Sequence, residues 1–475
     1  MNFNYVIHIG IISLSLLLAA LIRARVRFLQ RFLIPAPIVA GVFLLIFYNF
    51  IAPLWNLKSD YLGELVYHLL NLSFIAMMIR TDEKPASKNK KENQRTLAAN
   101  VVAVIAQYGL QCFFGLVVTA LLIATVQPNL FPAIGFTLPL GFELGPGQAY
   151  SMTLPWEKMG FVGASSVGLT MAALGFLFGS FGGMVLINQG IKRGWIGKEF
   201  KEKIGKESVR TGFFSRNESE RPIGSLLSTD GESLDTFTYH IAIVMLTYLL
   251  SWSVLTLFSM ALHLIGPLGV DLAESLWGIN FIFSAFMALA VKQFMKVVKV
   301  DTTIDNRTCN RINGLAVDIT VAASLGAISL VAVKGYWLPI TVLTLTGAFI
   351  TLVILPAYTS RIYDDHQFFR TLLIYGTATG TLPTGLALLR VVDPEFETPV
   401  ATDYLYSVGI VFVLAIPIIL SVNLPALSVR NNRPELFWYA VGISFVYLLV
   451  SFIGYLLIAK KRAFASKGKL FYTGS

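Results

Sequence analysis

Charged side chains are scarce in this chain. Asp, Glu, Lys and Arg make up 13% of its 475 residues, against about 25% in soluble globular proteins. So few charges cannot cover a water-facing surface of normal size, which excludes an ordinary soluble domain. Hydrophobic residues make up 55% of the chain and the mean hydropathy is +0.68. Apolar runs of about 20 residues, enough to cross the hydrocarbon core of a bilayer as a helix, recur along the whole sequence.

Cysteine is also scarce, and the common catalytic motifs are missing. Cys112 and Cys309 lie far apart, which argues against a disulfide framework and offers no metal-ligand spacing. The sequence has no His-Glu-x-x-His and no Gly-x-Ser-x-Gly motif, so we expect no enzymatic activity and no cofactor. The net charge of +10 lies in short loops between apolar runs. It therefore indicates the lipid bilayer, and not nucleic acid, as the partner.

Eleven apolar runs are long enough to cross a membrane. They cover 5–22, 32–53, 62–79, 97–126, 162–189, 236–262, 276–291, 312–333, 338–358, 404–428 and 436–459. With the N-terminus outside and the spans alternating, 32 of the 37 Lys and Arg residues fall on one side, and such an excess marks the cytoplasmic side. The sequence thus predicts a multi-pass protein of the cytoplasmic (inner) membrane, with its N-terminus outside and its C-terminus in the cytoplasm.

Two further stretches, 129–151 and 371–390, are apolar but interrupted by Gly and Pro. The first lies on the outer side before the fifth span, and the second lies on the inner side before the tenth. Spans one to five start outside and spans six to ten start inside. This pattern predicts two inverted repeats, each with a re-entrant hairpin, as in transporters whose site lies near the midplane. A simple surface turn is the alternative for either stretch taken alone.

The expected fold class is an all-α polytopic membrane protein with about 11 transmembrane helices. It comprises two inverted five-helix repeats, each with a re-entrant hairpin, and one extra C-terminal helix. The expected domain organisation is a first repeat, a charged cytoplasmic linker, a second repeat, and an extra span with a basic cytoplasmic tail. Their bounds are 1–189, 190–235, 236–428 and 429–475.

The interrupted stretches supply most candidate binding residues, because irregular backbone survives in a membrane only when buried in protein or lining a wet cavity. Glycines there let backbone approach a ligand, half-helix N-termini favour an anionic substrate, and hydroxyl oxygens suit a sodium ion. The candidate substrate-binding residues are Gly145, Gly147, Gln148, Gly376, Thr377, Thr379, Gly380, Thr381, Pro383 and Thr384.

Ionisable residues inside spans are candidates for a functional role, because a charge at the bilayer centre costs at least about 2.5–3.5 kcal/mol. Glu143 and Asp318 are candidates for a sodium or proton site, although a structural hydrogen bond explains Asp318 equally well. His68 and Asn71 share one face of the third span, which favours hydrogen bonding between helices. The Gly-x-x-x-Gly spacing that begins at Gly175 predicts close helix packing.

Three segments of the chain resemble the bacterial sodium/glutamate symporters, the glutamate:sodium symporter (ESS) family. The first is Ile-Pro-Ala-Pro-Ile-Val-Ala-Gly at 34–41, which opens the second span. The second is the first hairpin with the glycine-rich span that follows it. The third is the Gly-x-x-x-Gly-x-x-Pro-Thr-Gly pattern at 376–385. The order and spacing of these elements cover the chain through about residue 428.

The resemblance implies sodium-coupled symport of L-glutamate, or a related small organic anion, by a homodimer whose hairpins lie in a mobile core. It also maps Asn423 onto a polar position that serves the coupling ion. The chain departs from the family's Gly-Gly-His-Gly-Thr-Gly at 142–147, where it reads Phe-Glu-Leu-Gly-Pro-Gly. A carboxylate at Glu143 repels an anion unless it is protonated or holds a cation. Proton- or sodium-coupled transport of a different substrate, and a non-transport membrane protein, therefore remain alternatives.

Overall fold

The computed structural model describes residues 4–81, 90–197, 211–214, 223–264, 266–393 and 397–464. These residues form helices, and none of them forms a β-strand. The first half contains α1 (Asn4–Arg25), α2 (Ala36–Trp55), α3 (Asp60–Met78), α4 (Lys90–Thr125), α5 (Pro146–Lys158) and α6 (Ala164–Arg193). The second half contains α7 (Thr236–His263), α8 (Pro267–Gly278), α9 (Asn280–Val298), α10 (Asn306–Gly326), α11 (Trp337–Ile362), α12 (Gln367–Thr379), α13 (Leu382–Val392), α14 (Val400–Ser421), α15 (Leu424–Arg430) and α16 (Glu435–Ala459).

Ten helices in the described part of the chain are long and apolar enough to cross a membrane. The prediction of a multi-pass membrane protein is confirmed, and ten of the eleven predicted spans have their helix. The exception is the span at 312–333, where α10 begins earlier, at Asn306, and ends at Gly326. Its first three turns carry Asn310, Arg311 and Asn313. These polar residues lower the mean hydropathy of α10 below that of the predicted run 312–333.

Each interrupted stretch contains a break between two helices. In the first, 132–144 forms successive short 3-10, α and π turns, and α5 begins after Gly145. Gly145 adopts φ 86° and ψ −178°, a region that is essentially restricted to glycine. In the second, α12 ends at Thr379 and α13 begins at Leu382. Gly145 and Gly380 are both buried, so protein surrounds the non-helical backbone at each break.

Side chains set several of the helix ends. The Asp235 carboxylate accepts hydrogen bonds from two backbone N–H groups at the start of α7. Asp305 does the same for α10, accepting from the N–H of Thr308 at 3.0 Å. Such caps satisfy N–H groups that have no partner inside the helix. At the C-terminal end of α6, Gly194 takes the left-handed conformation with φ 73°, where glycine has no steric penalty.

Helices from the two halves of the sequence are interleaved. The second-half helix α10 packs against α2 and α3, and α12 packs against α6. The long helix α4 contacts both α14 and α16. Hydrogen bonds also join the halves, since Asn71 on α3 accepts from Ser284 on α9 at 2.8 Å, and His68 meets the Tyr248 hydroxyl on α7 at 2.8 Å. The predicted interhelical role of this α3 face is therefore confirmed.

Glycines on α6 allow both broken segments to pack against its backbone. A Cβ at Gly175 would lie 2.8 Å from the Thr379 carbonyl oxygen and 3.0 Å from the Phe142 Cα. A Cβ at Gly179 would lie 3.0 Å from the Thr379 hydroxyl. No larger residue fits these contacts without displacing its neighbours, so the close packing predicted from the Gly-x-x-x-Gly spacing is present. Parts of the predicted linker and tail, 198–210, 215–222 and 465–475, lie outside the described residues.

Candidate functional site

The two helix breaks touch, although Gly145 and Gly380 are 235 positions apart in the sequence. A Cβ built on Gly145 would lie 2.5 Å from Thr381 Cγ2 and 3.4 Å from the Gly380 carbonyl oxygen. The helices that leave the breaks both begin here, because Ala149 N–H donates to the Gly145 carbonyl and Gly385 N–H donates to the Thr381 carbonyl. The N-termini of α5 and α13 therefore lie side by side.

A cavity of about 490 Å³ lies against this contact. Its walls come from α3, α4, α9, α10 and α14, and from both breaks with the helix ends beside them. Apolar side chains such as Phe74, Phe281 and Val411 form much of the lining. Cavities with apolar walls and a few converging polar groups are typical of small-molecule sites.

Six predicted site residues line the cavity: Glu143, Gly147, Gln148, Thr377, Thr381 and Pro383. Gly147 and Gln148 belong to the first turn of α5, and Pro383 belongs to the first turn of α13. Both helix N-termini are thus presented to the cavity, where their N–H groups and dipoles favour a negative charge.

Four of the other predicted residues hold the second broken segment together. A Cβ at Gly376 would lie 2.6 Å from the Gly385 Cα, so the backbones of α12 and α13 meet there. The Thr379 hydroxyl donates to the Tyr375 carbonyl at 2.8 Å, and a Cβ at Gly380 would lie 2.5 Å from the Thr384 hydroxyl. These four residues do not line the cavity, and their contacts hold the backbone of the second break in position: Gly376, Thr379, Gly380 and Thr384.

Of the last three predicted residues, Gly145 lies at the contact between the breaks, and the other two lie away from the cavity lining. Asn423 Oδ1 accepts a hydrogen bond from the Trp156 indole at 2.8 Å, and both residues are buried. This bond ties the turn between α14 and α15 to the end of α5. Asp318 is exposed on α10, next to a residue of the lining, Val317. The structure therefore brings Glu143, but neither Asp318 nor Asn423, to the contact between the breaks.

The Glu143 carboxylate is the main electrostatic feature of the site. Its side chain is only 6% exposed, and neither carboxylate oxygen accepts a hydrogen bond from the described residues. The side chain of Gln107 on α4 lies beside it. A buried carboxylate without a partner is costly as an anion, so this site calls for a bound cation or a proton.

Buried oxygens without a partner cluster around the same cavity. Gln107 Oε1, Thr320 Oγ1 and Thr381 Oγ1 belong to lining residues, and no described group bonds to them. With Glu143 they come from α4, α10 and both breaks. Because buried polar atoms in folded proteins are nearly always paired with protein groups or water, these oxygens are available to a cation, a hydrogen-bond donor or water that enters the cavity.

A glutamine on α4 forms a hydrogen bond with the C-terminal end of α12, in the second broken segment. The last carbonyls of a helix have no partner inside it, and Gln111 Nε2 donates to the Ala378 carbonyl of α12 at 2.9 Å. Gln111 is fully buried, like its neighbour Gln107 four residues earlier. Gln111 thus stabilises the second break, and Gln107, on the same face of α4, lies beside Glu143.

Sequence reasoning missed the polar residues that α3, α4, α10 and α14 contribute to the lining. These are Ser73, Gln107, Tyr108, Asn310, Asn313, Thr320, Tyr404 and Ser407. A signal for some of them was present, since Gln107 and Gln111 are amides one helical turn apart inside an apolar run. Asn310 and Asn313 are likewise on one face of α10, and Asn313 accepts from the Ser73 hydroxyl at 2.5 Å.

No protein-family model, curated protein or solved structure matches the chain. The resemblance to the sodium/glutamate symporters therefore rests on the three sequence segments alone.

Proposed function

We propose that the chain is a secondary active transporter that carries a small organic anion together with a cation. L-glutamate is the first candidate substrate and sodium the first candidate ion. One observation carries the proposal: two helix N-termini and a buried, unpartnered carboxylate face a single cavity where two broken helices meet. Inverted-repeat transporters bind anionic groups at such half-helix N-termini and cations at nearby oxygens.

The anionic part of the substrate would lie at the start of α5 and α13. The first turns of these helices, at Gly147, Gln148 and Leu382, line the cavity and carry backbone N–H groups. Gly147 has no side chain to keep a ligand away from the backbone. Helix N-termini stabilise an anion through their N–H groups and the helix dipole, and Gln148 adds a side-chain amide.

The cation would lie at Glu143, with Gln107 Oε1 and the Thr381 hydroxyl as further oxygen ligands. Hard cations take carboxylate, carbonyl and hydroxyl oxygens, and these oxygens have no partner among the described residues. A cation here would also remove the repulsion between Glu143 and an anionic substrate. Binding of the ion would therefore favour binding of the substrate, which is the thermodynamic requirement for symport.

The cavity supports a conformation that is open to the cytoplasm. Its lining includes Arg80 and Asn310, which lie at the ends of α3 and α10 that the basic-residue bias assigns to the inner side. The N-terminus would then lie outside, the C-terminus inside, and the two broken segments would be re-entrant hairpins of inverted repeats. With Cys112 and Cys309 replaced by Ala, the reaction of a single cysteine at position 80 or 58 with a membrane-impermeant reagent tests this topology.

Uptake into proteoliposomes tests the transport function. We expect an inward sodium gradient to drive accumulation of radiolabelled L-glutamate, whereas an equal potassium gradient does not. Glu143→Gln should abolish the sodium dependence because it removes the charge that binds the ion. The matched control is Glu64→Gln, which removes an exposed acid of α3 and should transport normally.

Several outcomes would change the proposal. Absence of L-glutamate uptake under any gradient, with monodisperse protein, would rule out this substrate. Sodium coupling that survives in Glu143→Gln would remove Glu143 from the ion site and leave Asp318 as the next acid to test. The unpartnered carboxylate also favours a second candidate, proton coupling, in which Glu143 binds a proton. Uptake driven by a pH gradient without sodium would select it.

The resemblance extends the proposal to a homodimer in the inner membrane. Cross-linking of the reconstituted protein tests this assembly, and a monomeric product at all protein densities would contradict it.

A further inference from the structure

A second cavity, of about 420 Å³, forms a groove between α4, α11 and α16. It does not share a lining residue with the cavity at the helix breaks. Apolar atoms form nearly all of its surface. The lining residues are Ala106, Leu110, Val353, Ile354, Ala357, Tyr358, Arg361, Leu448, Ser451, Phe452 and Tyr455.

Specific contacts hold the walls of this groove in place. The Tyr358 hydroxyl on α11 donates to the Ser451 carbonyl on α16 at 2.7 Å, and the Tyr358 and Tyr455 rings stack with centroids 4.6 Å apart. On the other wall, a Cβ at Gly109 would lie 2.9 Å from the Leu448 amide nitrogen, so α4 and α16 are in backbone contact. The groove is thus preformed.

The groove opens sideways, toward the surface that lipid would cover. Val353 is 52% exposed and Phe452 is 46% exposed, and these side chains flank the opening from α11 and α16. Both helices are among those apolar enough to cross a membrane. A hydrocarbon chain could therefore enter the groove from the bilayer without crossing a polar surface.

One end of the groove is basic. Arg361 is part of the lining, and Lys460 and Lys461 are exposed at the end of α16. The turn that carries these lysines is fixed next to Arg361, because Arg462 donates to the Tyr363 carbonyl at 3.3 Å. No described carboxylate forms an ion pair with Arg361, Lys460 or Lys461.

An acid beside this end, Asp364, is already paired. Asp364 forms ion pairs with Arg95, at 2.6 Å, and with Arg462. Its charge is therefore compensated by two arginines, and among the described residues this end of the groove keeps an excess of positive charge. The basic-residue bias assigns this end to the cytoplasmic side, where anionic lipids attract basic residues near the membrane surface.

We propose that the groove binds an anionic phospholipid. One acyl chain lies along α16 between Leu448 and Tyr455, a distance of about 10 Å at 1.5 Å per residue. The phosphate lies at Arg361, Lys460 and Lys461. Basic pockets between transmembrane helices on the cytoplasmic side bind such head groups, and the apolar walls bury the chain. The bound lipid would join α16 to α4 and α11.

Lipid retention by the purified full-length protein tests this site. Native mass spectrometry in a mild detergent would compare added phosphatidylglycerol with phosphatidylcholine of the same acyl chains. We expect about one phosphatidylglycerol per chain to survive at a collision energy that removes phosphatidylcholine. The bound lipid should also raise the midpoint of thermal unfolding.

Two variants separate the head-group contacts from the acyl-chain contacts. Replacing Arg361, Lys460 and Lys461 by Gln should lower phosphatidylglycerol retention to the level of phosphatidylcholine. Ala357→Phe keeps all the charges but fills the groove, and should lower retention of both lipids. The matched control replaces the exposed Arg25, Arg27 and Arg31 by Gln, which removes three charges from the same predicted membrane face and should leave retention unchanged.

Equal retention of the two lipids by the unmodified protein would overturn the proposal, and this comparison needs no variant to fold. Unchanged retention in a monodisperse Ala357→Phe protein would show that the lipid lies elsewhere. An equal loss of phosphatidylglycerol retention in the control triple variant would show that the lipid is attracted by the general surface charge and not by this site. None of these outcomes depends on transport, so the lipid site and the proposed function can fail separately.

Discussion

One added methyl group at Gly145 would test the contact between the two helix breaks. Gly145 has φ 86° and ψ −178°, and a non-glycine residue in such a region costs of order 1–3 kcal/mol. The new Cβ of Gly145→Ala would also lie 2.5 Å from Thr381 Cγ2. Overpacking of this kind costs about 1–3 kcal/mol. We therefore expect a total destabilisation of about 2–6 kcal/mol, half of it from the contact.

Two further variants separate the backbone cost from the contact cost. Gly160 also has a positive φ, of 102°, but a Cβ there would have no neighbour within 4 Å. Gly160→Ala should therefore show the backbone cost alone, about 1–2 kcal/mol for an L-residue in the left-handed region. Thr381→Ser, combined with Gly145→Ala, removes Cγ2 and keeps the hydroxyl, so it should recover the contact cost.

The assay is denaturant-induced unfolding in detergent, with uptake measured in parallel. We expect Gly145→Ala to be the least stable variant, with Gly160→Ala and the double variant closer to the unmodified protein. Uptake should fall in Gly145→Ala and return in part with Thr381→Ser. Equal losses in Gly145→Ala and Gly160→Ala, without recovery by Thr381→Ser, would refute a direct contact between the breaks.

Three further predictions concern residues outside the breaks. Trp156→Phe removes the only described donor to Asn423 Oδ1 and leaves a buried acceptor unpaired, so the unfolding free energy should fall by about 1–3 kcal/mol. Asp305→Ala removes the cap of α10 and should cost about 0.5–2 kcal/mol in the same measurement. Burial raises the pKa of Asp365, but the hydrogen bond and charge of Arg370 outweigh it and lower that pKa. Its stabilisation is therefore present above about pH 4 and lost at lower pH, and Asp365→Asn should weaken this acid dependence of the thermal midpoint. A steeper dependence in the variant would contradict the assignment.

Hydropathy was sufficient for most of the fold. Ten of the eleven predicted spans have a helix of suitable length and hydropathy, because uninterrupted apolar runs must form internally bonded helices in lipid. The eighth span shows where this reasoning fails. Asn310 and Asn313 lie in the first half of α10, where they line a cavity, so hydropathy placed its start too late.

The candidate site was only partly accessible from the sequence. Gly and Pro marked both helix breaks, because these residues interrupt helices wherever they occur. No local pattern could show that Gly145 and Thr381 are neighbours, since this contact depends on how α5, α6 and α13 pack. For the same reason Asn423 gave no sign of its buried partner Trp156. The amide of Gln107 was visible, but its position beside Glu143 was not.

The glycines of α6 have a consequence for hydrogen exchange. Gly175 and Gly179 place the α6 backbone against Thr379 and Phe142, so neither break can open without leaving the surface of this helix. Amide protons of α6, α5 and α12 should consequently exchange with solvent as one cooperative unit. Any slower rearrangement of the molecule would then carry the two breaks and α6 together, and the hinges would lie in the segments that connect this unit to its neighbours.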